Sequence, residues 1–329
     1  MWDFSFGRAL SMVMQTLPFV LLRIVVYVGI ALGYVLTVGV GATLGYGFGY
    51  LGSSVDAHAQ GALWGGLIGF GVVSAALYFA REYLLYLVKA AHIAVLVELY
   101  DGKRVPAGQG QIGYGATFVK THFAESSVLF GVDQLIKGVL RALFGTINFF
   151  TAFLPVPALQ QLIRLVESII RMSLTYVDEI ILAYLIRTNT KNPWGTARDG
   201  VILFAQNYMH FLKNAAWLSV FMWLLTFGLF VAFASLFGVV LFFVHNHAFI
   251  WTVGLALVFA LAVKKAIMEP IAIAALMQVY FQEIEGQTPN PEWTQKLEGV
   301  SSKFRDLGKK AAGWVPGPAA SAPPSGKPA

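Results

Sequence analysis

The sequence contains no cysteine, which excludes disulfides, thiolate metal ligands and a cysteine nucleophile. Charge is also scarce: 12% of the residues are charged, whereas a soluble domain carries about 25%. Three long stretches, 24–55, 57–80 and 214–263, have no Asp, Glu, Lys or Arg at all. Each is at least as long as the ~20 apolar residues that cross a bilayer. These absences exclude an ordinary soluble domain and favour an integral membrane protein.

Motifs of common enzyme classes are missing as well. The sequence has no zinc-protease helix motif, phosphate-binding glycine loop, serine-nucleophile elbow or dinucleotide fingerprint. His245 and His247 flank Asn246, but two histidines lack the further ligands that zinc requires. We therefore predict neither an enzyme activity, nor a cofactor, nor a metal site.

The residues that are present are 57% hydrophobic, and they predict membrane spans at 21–44, 61–80, 215–243 and 249–263. The two turns that connect these spans pairwise contain no Lys or Arg, whereas the opposite flanks are basic. By the positive-inside rule the turns face outward. Both chain ends then lie in the cytoplasm, provided that the middle of the chain crosses the membrane an even number of times.

The predicted fold class is an all-α integral membrane protein, a polytopic helical bundle with four spans in the cytoplasmic (inner) membrane. Its net charge of +6 does not predict nucleic-acid binding, because the basic residues flank the spans. The predicted divisions are a helical pair (1–80), an amphipathic block that includes a candidate re-entrant part (81–213), a second helical pair with a short apolar helix (214–285), an amphipathic cytoplasmic helix (286–315) and a disordered tail (316–329).

Three segments leave alternatives open. The charge-free part of the middle block, 142–163, is interrupted by two prolines and fits a kinked span, a re-entrant hairpin or an interfacial element. Glycines at four-residue spacing in the first two spans favour packing of those spans on each other over a homo-oligomer seam. The apolar stripe from Trp293 to Trp314, with lysines around it, predicts binding to anionic lipid or pairing with another helix.

Polar residues at helical spacing supply the candidate solute path. They are Arg164, Glu167, Arg171, Thr175 and Asp178, which share one face of the helix after Pro157. A face turned into the bundle would line a path for a polar solute, whereas a face turned to the cytosol would be the solvated side of an interfacial helix. The second alternative is favoured.

Other charged residues suggest structural roles as well as functional ones. Glu269 precedes Pro270, where a helix break allows a carboxylate to bind a cation or relay a proton, but it also lies one turn from Lys265. Arg198 and Asp199 are candidates for structural ion pairs, as is Lys265. Asp178 and Glu179 are adjacent in sequence, so we expect them on different faces of their helix.

Three segments resemble the C-terminal half of the choline transporter-like family, in the same order and at similar spacing. They are RLVESIIRMSLTYVDEIILAY, TARDGVILFAQNYMHFLKNA and an apolar helix that ends in FQEIEG, together covering about 164–286. The resemblance implies a multi-span carrier for a small organic cation or a lipid-related solute. The leading hypothesis is thus a permease for a small polar or cationic solute, and the alternative is a non-transporting membrane scaffold or assembly factor.

Overall fold

The computed structural model describes residues 2–49, 55–103, 110–122, 126–152, 176–189, 191–242 and 248–315. The regular structure of these residues is helical throughout, which confirms the predicted all-α fold. The helices are α1 (Phe6–Gln15), α2 (Leu17–Gly49), α3 (Val55–Tyr100), α4 (Gln111–His122), α5 (Ser126–Ala152), α6 (Val177–Thr188), α7 (Pro193–Gln206), α8 (Tyr208–Phe242), α9 (Ala248–Val263), α10 (Glu269–Glu283), α11 (Pro291–Val300) and α12 (Ser302–Ala312). A π-helical turn, Lys264–Met268, joins α9 to α10.

Three helical segments among the described residues are long and apolar enough to cross a membrane: Leu17–Gly49, Tyr83–Tyr100 and Tyr208–Val239. The prediction of four spans is therefore corrected. The 16 residues of α9 rise only about 24 Å at ~1.5 Å per residue, less than the ~30 Å of a hydrocarbon core. The predicted span 61–80 lies in α3, and several of its side chains are outside the described residues. The segment of α3 that is long and apolar enough to cross a membrane, Tyr83–Tyr100, follows it.

The described chain divides into two compact units. Unit 1 comprises Met1–Leu17, Lys89–Phe221 and Ile271–Ala329, and unit 2 comprises Pro18–Val88 and Met222–Pro270. Outside the described residues lie the predicted disordered tail, 316–329, and the second part of the charge-free segment, 153–163.

In unit 2, α2 and α3 pack through their glycines, which is the alternative that the sequence favoured. A methyl group on Gly41 would collide with the carbonyl oxygen of Gly65, and one on Gly45 would collide with that of Gly61. Such close backbone approach is possible only where side chains are absent. On its other side α2 packs against α9, since Tyr27 and Ala31 are buried together with Ala262 and Ala266.

Replacing Gly45 with Ala should destabilise the protein by about 1–3 kcal/mol, the usual effect of overpacking a tight contact. Gly47 on the same helix provides a matched control, because a methyl group there meets no atom within 4 Å. Thermal unfolding in detergent would measure both variants. Equal stability of Gly45→Ala and Gly47→Ala would contradict the tight packing of α2 on α3.

Unit 1 has a core of large side chains from several helices, including Ile93, Ile136, Ile180, Ile202 and Tyr280, all less than 2% exposed. Two of its helices begin at an Asn–Pro pair. Asn192 caps α7 by accepting a hydrogen bond from the Gly195 amide at 3.0 Å, and Asn290 caps α11 in the same way through Glu292. The short apolar helix α10 lies inside this core rather than on its surface, with Ile273 and Met277 fully buried.

The predicted amphipathic helix at 286–315 consists of two helices, α11 and α12, which meet at Ser301. Ser301 interrupts the apolar stripe and caps α12 through the Phe304 amide at 3.2 Å. Leu297, Phe304 and Leu307 of that stripe are 0% exposed, because they are buried within unit 1. The centre of the apolar stripe is thus covered by the protein itself, although Val300 is 44% exposed, and binding to anionic lipid stays a prediction.

Candidate functional site

A cluster of five charged side chains lies inside unit 1, where α3, α5 and α6 meet. Lys89 Nζ donates to Glu179 Oε1 at 2.8 Å, and Lys137 Nζ donates to Asp133 Oδ2 at 2.7 Å. Lys137 Nζ also lies 3.4 Å from Asp178 Oδ2, so it bridges two carboxylates. The three carboxylate residues are 4–5% exposed. We call these five residues the charge cluster.

Among the described residues, the charge cluster has one positive charge too few, because three carboxylates face two ammonium groups. Burial raises the pKa of Asp178 well above its usual value of 3.8, and the neighbouring Glu179 charge raises it further. Burial also raises the pKa of Asp133, although the charge of Lys137 offsets part of that effect. Burial would raise the pKa of Glu179 as well, but the charge of Lys89 and hydrogen bonds from Asp178 and Lys89 outweigh it and lower that pKa. Asp178 is therefore the carboxylate of the cluster that favours a proton most.

One buried atom in the charge cluster, Glu179 Oε2, has no hydrogen-bond partner in the described part of the chain. A protonated carboxyl donates one hydrogen bond, whereas an ionised one only accepts. A protonated Asp178 is therefore a suitable donor for this oxygen.

Asp178 and Glu179 are held by different lysines. Lys137 Nζ lies 3.4 Å from Asp178 Oδ2, whereas Lys89 Nζ donates to Glu179 Oε1 at 2.8 Å. Both carboxylates lie in the first turn of α6, where the helix dipole favours negative charge. Their placement on different faces of the helix stays a prediction.

Asp178 is the only member of the predicted polar stripe that the structure describes, and it is buried rather than solvated. The other stripe residues, Arg164, Glu167, Arg171 and Thr175, lie outside the described residues. Sequence reasoning missed Lys89, Asp133 and Lys137 as members of the charge cluster. The available signal was a four-residue Asp133–Lys137 spacing and a lysine inside the apolar segment 83–99.

A second buried charged network lies in unit 2. Arg23 on α2 is 1% exposed, and its Nη1 donates to Glu269 Oε2 at 3.3 Å. The Tyr27 hydroxyl donates to the same oxygen at 3.1 Å. Glu269 directly follows the π-helical turn, a distortion that is frequent at functional sites. The sequence suggested Lys265 as a structural partner of Glu269, but Lys265 is exposed and Arg23 forms the ion pair.

The remaining candidate pair is arranged differently from the prediction. Arg198 Nη2 donates to Glu298 Oε1 of α11 at 3.0 Å, so its ion-pair partner comes from the C-terminal helices rather than from its neighbour Asp199. Burial raises the pKa of Asp199, and the Arg198 charge offsets part of that effect. Together with Lys309 these residues line an open cleft of about 600 Å³. This ion pair joins α7 to α11, which is a structural role.

Comparisons with known proteins identify no relative of the chain. No protein family, no curated protein and no solved structure matches the chain.

Proposed function

We propose that this chain is a permease of the cytoplasmic membrane that moves a small organic cation. The observation that carries the proposal is the missing positive charge in the charge cluster. Buried ionisable groups are costly in a membrane protein and usually mark the path of an ion or solute. A scaffold requires no such groups, which is why the transport hypothesis is preferred over the scaffold hypothesis.

The missing charge suggests how the cluster handles a cation. A proton on Asp178 neutralises the excess carboxylate when no solute is bound. A monovalent organic cation beside Asp178 and Glu179 supplies the same charge, and the proton is then free to leave. Proton and cation thus compete for one site, and the permease exchanges one for the other. Lys89 and Lys137 form ion pairs with the remaining two carboxylates, Glu179 and Asp133.

The other residues of the predicted path take secondary places in this proposal. Arg164, Glu167, Arg171 and Thr175 precede Asp178 at helical spacing and extend the polar face toward it. Glu269 belongs to the network of Arg23 and Tyr27 and is not assigned to the cation site. The orientation of the chain rests on the basic flanks of the spans.

Accessibility of the cluster distinguishes transport from a scaffold. Gln134 Nε2 donates to Asp133 Oδ2 at 3.2 Å, so Gln134→Cys places a single thiol beside the cluster in a chain that has no other cysteine. In proteoliposomes we expect a cationic methanethiosulfonate to modify this thiol and choline to slow the reaction. Lys103→Cys is the control, because Lys103 is exposed and choline should not affect it. Equal rates with and without choline at Gln134→Cys would favour the scaffold.

A further inference from the structure

Arg23 uses only one edge of its guanidinium group. Its Nη1 donates to Glu269, but Nε and Nη2 are buried and have no hydrogen-bond partner in the described part of the chain. These two nitrogens form the side-on edge of the guanidinium, where two N–H groups point in the same direction. The spacing of this fork matches two oxygens of a carboxylate or a phosphate group.

An unused fork is unexpected at this position. Arg23 is 1% exposed and lies on α2, which is long and apolar enough to cross a membrane. Arginine stays charged in proteins, and buried N–H groups of a charged side chain almost always have acceptors. An acceptor of hydrogen bonds that is not part of the described chain is therefore expected at the fork.

The local charge indicates that this acceptor is an anion. Arg23 is positively charged, and the carboxylate of Glu269 engages only its Nη1 nitrogen. Tyr27 holds that carboxylate on the opposite edge of the guanidinium by a hydrogen bond to Oε2. Glu269 thus orients Arg23 and leaves the fork free.

We propose that the Nε–Nη2 edge of Arg23 binds an oxyanion, either a carboxylate or a phosphate group. The oxyanion accepts one hydrogen bond from Nε and one from Nη2, in the bidentate arrangement that guanidinium favours. Its source is either a soluble anion or the headgroup of a phospholipid, which share this chemistry. The proposal does not depend on transport, because binding to Arg23 is measurable without flux.

The test uses the purified full chain, delipidated in a maltoside detergent. Sodium acetate and sodium phosphate are titrated against sodium chloride at equal ionic strength, and the unfolding temperature is recorded. Binding at 100 times Kd multiplies the folding equilibrium constant about 100-fold, so either oxyanion should raise Tm saturably. Chloride should raise Tm less, since a single ion cannot align with both N–H groups as two oxygens of an oxyanion do.

Two variants and a control test whether the oxyanion binds at Arg23. Arg23→Lys keeps the charge but loses the fork, so acetate should bind about tenfold more weakly or worse. Glu269→Gln leaves the fork and removes the competing negative charge, so acetate should bind more tightly; this variant keeps the test valid if Arg23→Lys does not fold. Lys265→Gln, an exposed change in the adjacent π-helical turn, should retain fork-dependent binding.

Mass spectrometry separates the two sources. A phospholipid that co-purifies with the wild-type protein and not with Arg23→Lys identifies the oxyanion as a headgroup, and a Tm rise with acetate alone identifies a soluble anion. The proposal is overturned if neither oxyanion raises Tm more than chloride does, in the wild type and in Glu269→Gln, and no phospholipid is retained. It is also overturned if Arg23→Lys folds and binds acetate as tightly as the wild type.

Discussion

Replacing Lys89 with Met should destabilise the folded protein by about 3–5 kcal/mol, because it leaves the buried Glu179 carboxylate without its ammonium partner. The two side chains are 2.8 Å apart, and that of Glu179 is 6% exposed. Removing one partner of a buried ion pair costs more than removing both, since the remaining charge is left in a medium that solvates it poorly. Unfolding in detergent, followed by circular dichroism, measures the loss.

Two further variants test the origin of that loss. The double variant Lys89→Met with Glu179→Gln should recover most of the stability, because no uncompensated charge remains. Lys103→Met breaks the ion pair to Glu98, but Lys103 is 63% exposed, and exposed pairs contribute only ~0–1 kcal/mol. A double variant as unstable as Lys89→Met would show that the ion pair is not the cause.

The stability of the wild-type protein should fall as the pH rises above about 4, and Asp178→Asn should remove much of that slope. Burial and the Glu179 charge raise the folded-state pKa of Asp178 above its unfolded value of 3.8. Between these two pKa values the folded state binds more protons than the unfolded state, so the free energy of unfolding decreases with pH. Each unit of difference is worth about 1.4 kcal/mol. The contribution is present below pH 3.8 and is lost as the pH passes the folded pKa.

Glu179 contributes to the pH dependence of stability in the opposite direction. Burial opposes its ionisation, but Lys89 and the hydrogen bond from Asp178 lower its folded pKa below 4.5, so its contribution is lost only as the pH falls through that lowered value. Burial also raises the pKa of Asp133 and Asp199, so urea unfolding between pH 4 and pH 9 gives the contribution of Asp178 as the difference between the wild-type and Asp178→Asn curves. Asp56→Asn, an exposed change on α3, is the control and should follow the wild-type curve. If the curves of Asp178→Asn and the wild type run parallel, Asp178 is ionised in the folded protein.

The helices follow from local patterns, and the sequence predicts them well. Charge-free runs locate α2 and most of α8, while Asn–Pro pairs mark the starts of α7 and α11. The glycine spacing also predicts the packing of α2 on α3, because close approach depends on residue type alone. The predicted span 249–263 is too short to cross a bilayer, because its charge-free run ends at Lys264, and α9 adds only one residue to it.

The ion pairs of the candidate sites join residues that are far apart in the sequence, so residue spacing along one helix cannot predict them. Lys89 and Glu179 are 90 residues apart, and Arg23 and Glu269 are 246 residues apart. Local reasoning paired Glu269 with Lys265, since it considered only neighbours on one helix, and it assigned no lysine partner to Asp178 or Glu179. Asp178 was identified from its helical spacing, but its burial arises from the packing of α3 and α5 around the start of α6.

The most direct test of the proposed exchange is uptake of radiolabelled choline into proteoliposomes with an acidic interior. We expect uptake above that of protein-free liposomes, driven by the outward proton gradient and accompanied by alkalinisation of an internal pH dye. Asp178→Asn cannot release a proton and should lose gradient-driven uptake, whereas Asp56→Asn should retain it. Choline uptake equal to that of protein-free liposomes, or gradient-driven uptake that survives in Asp178→Asn, would contradict the account.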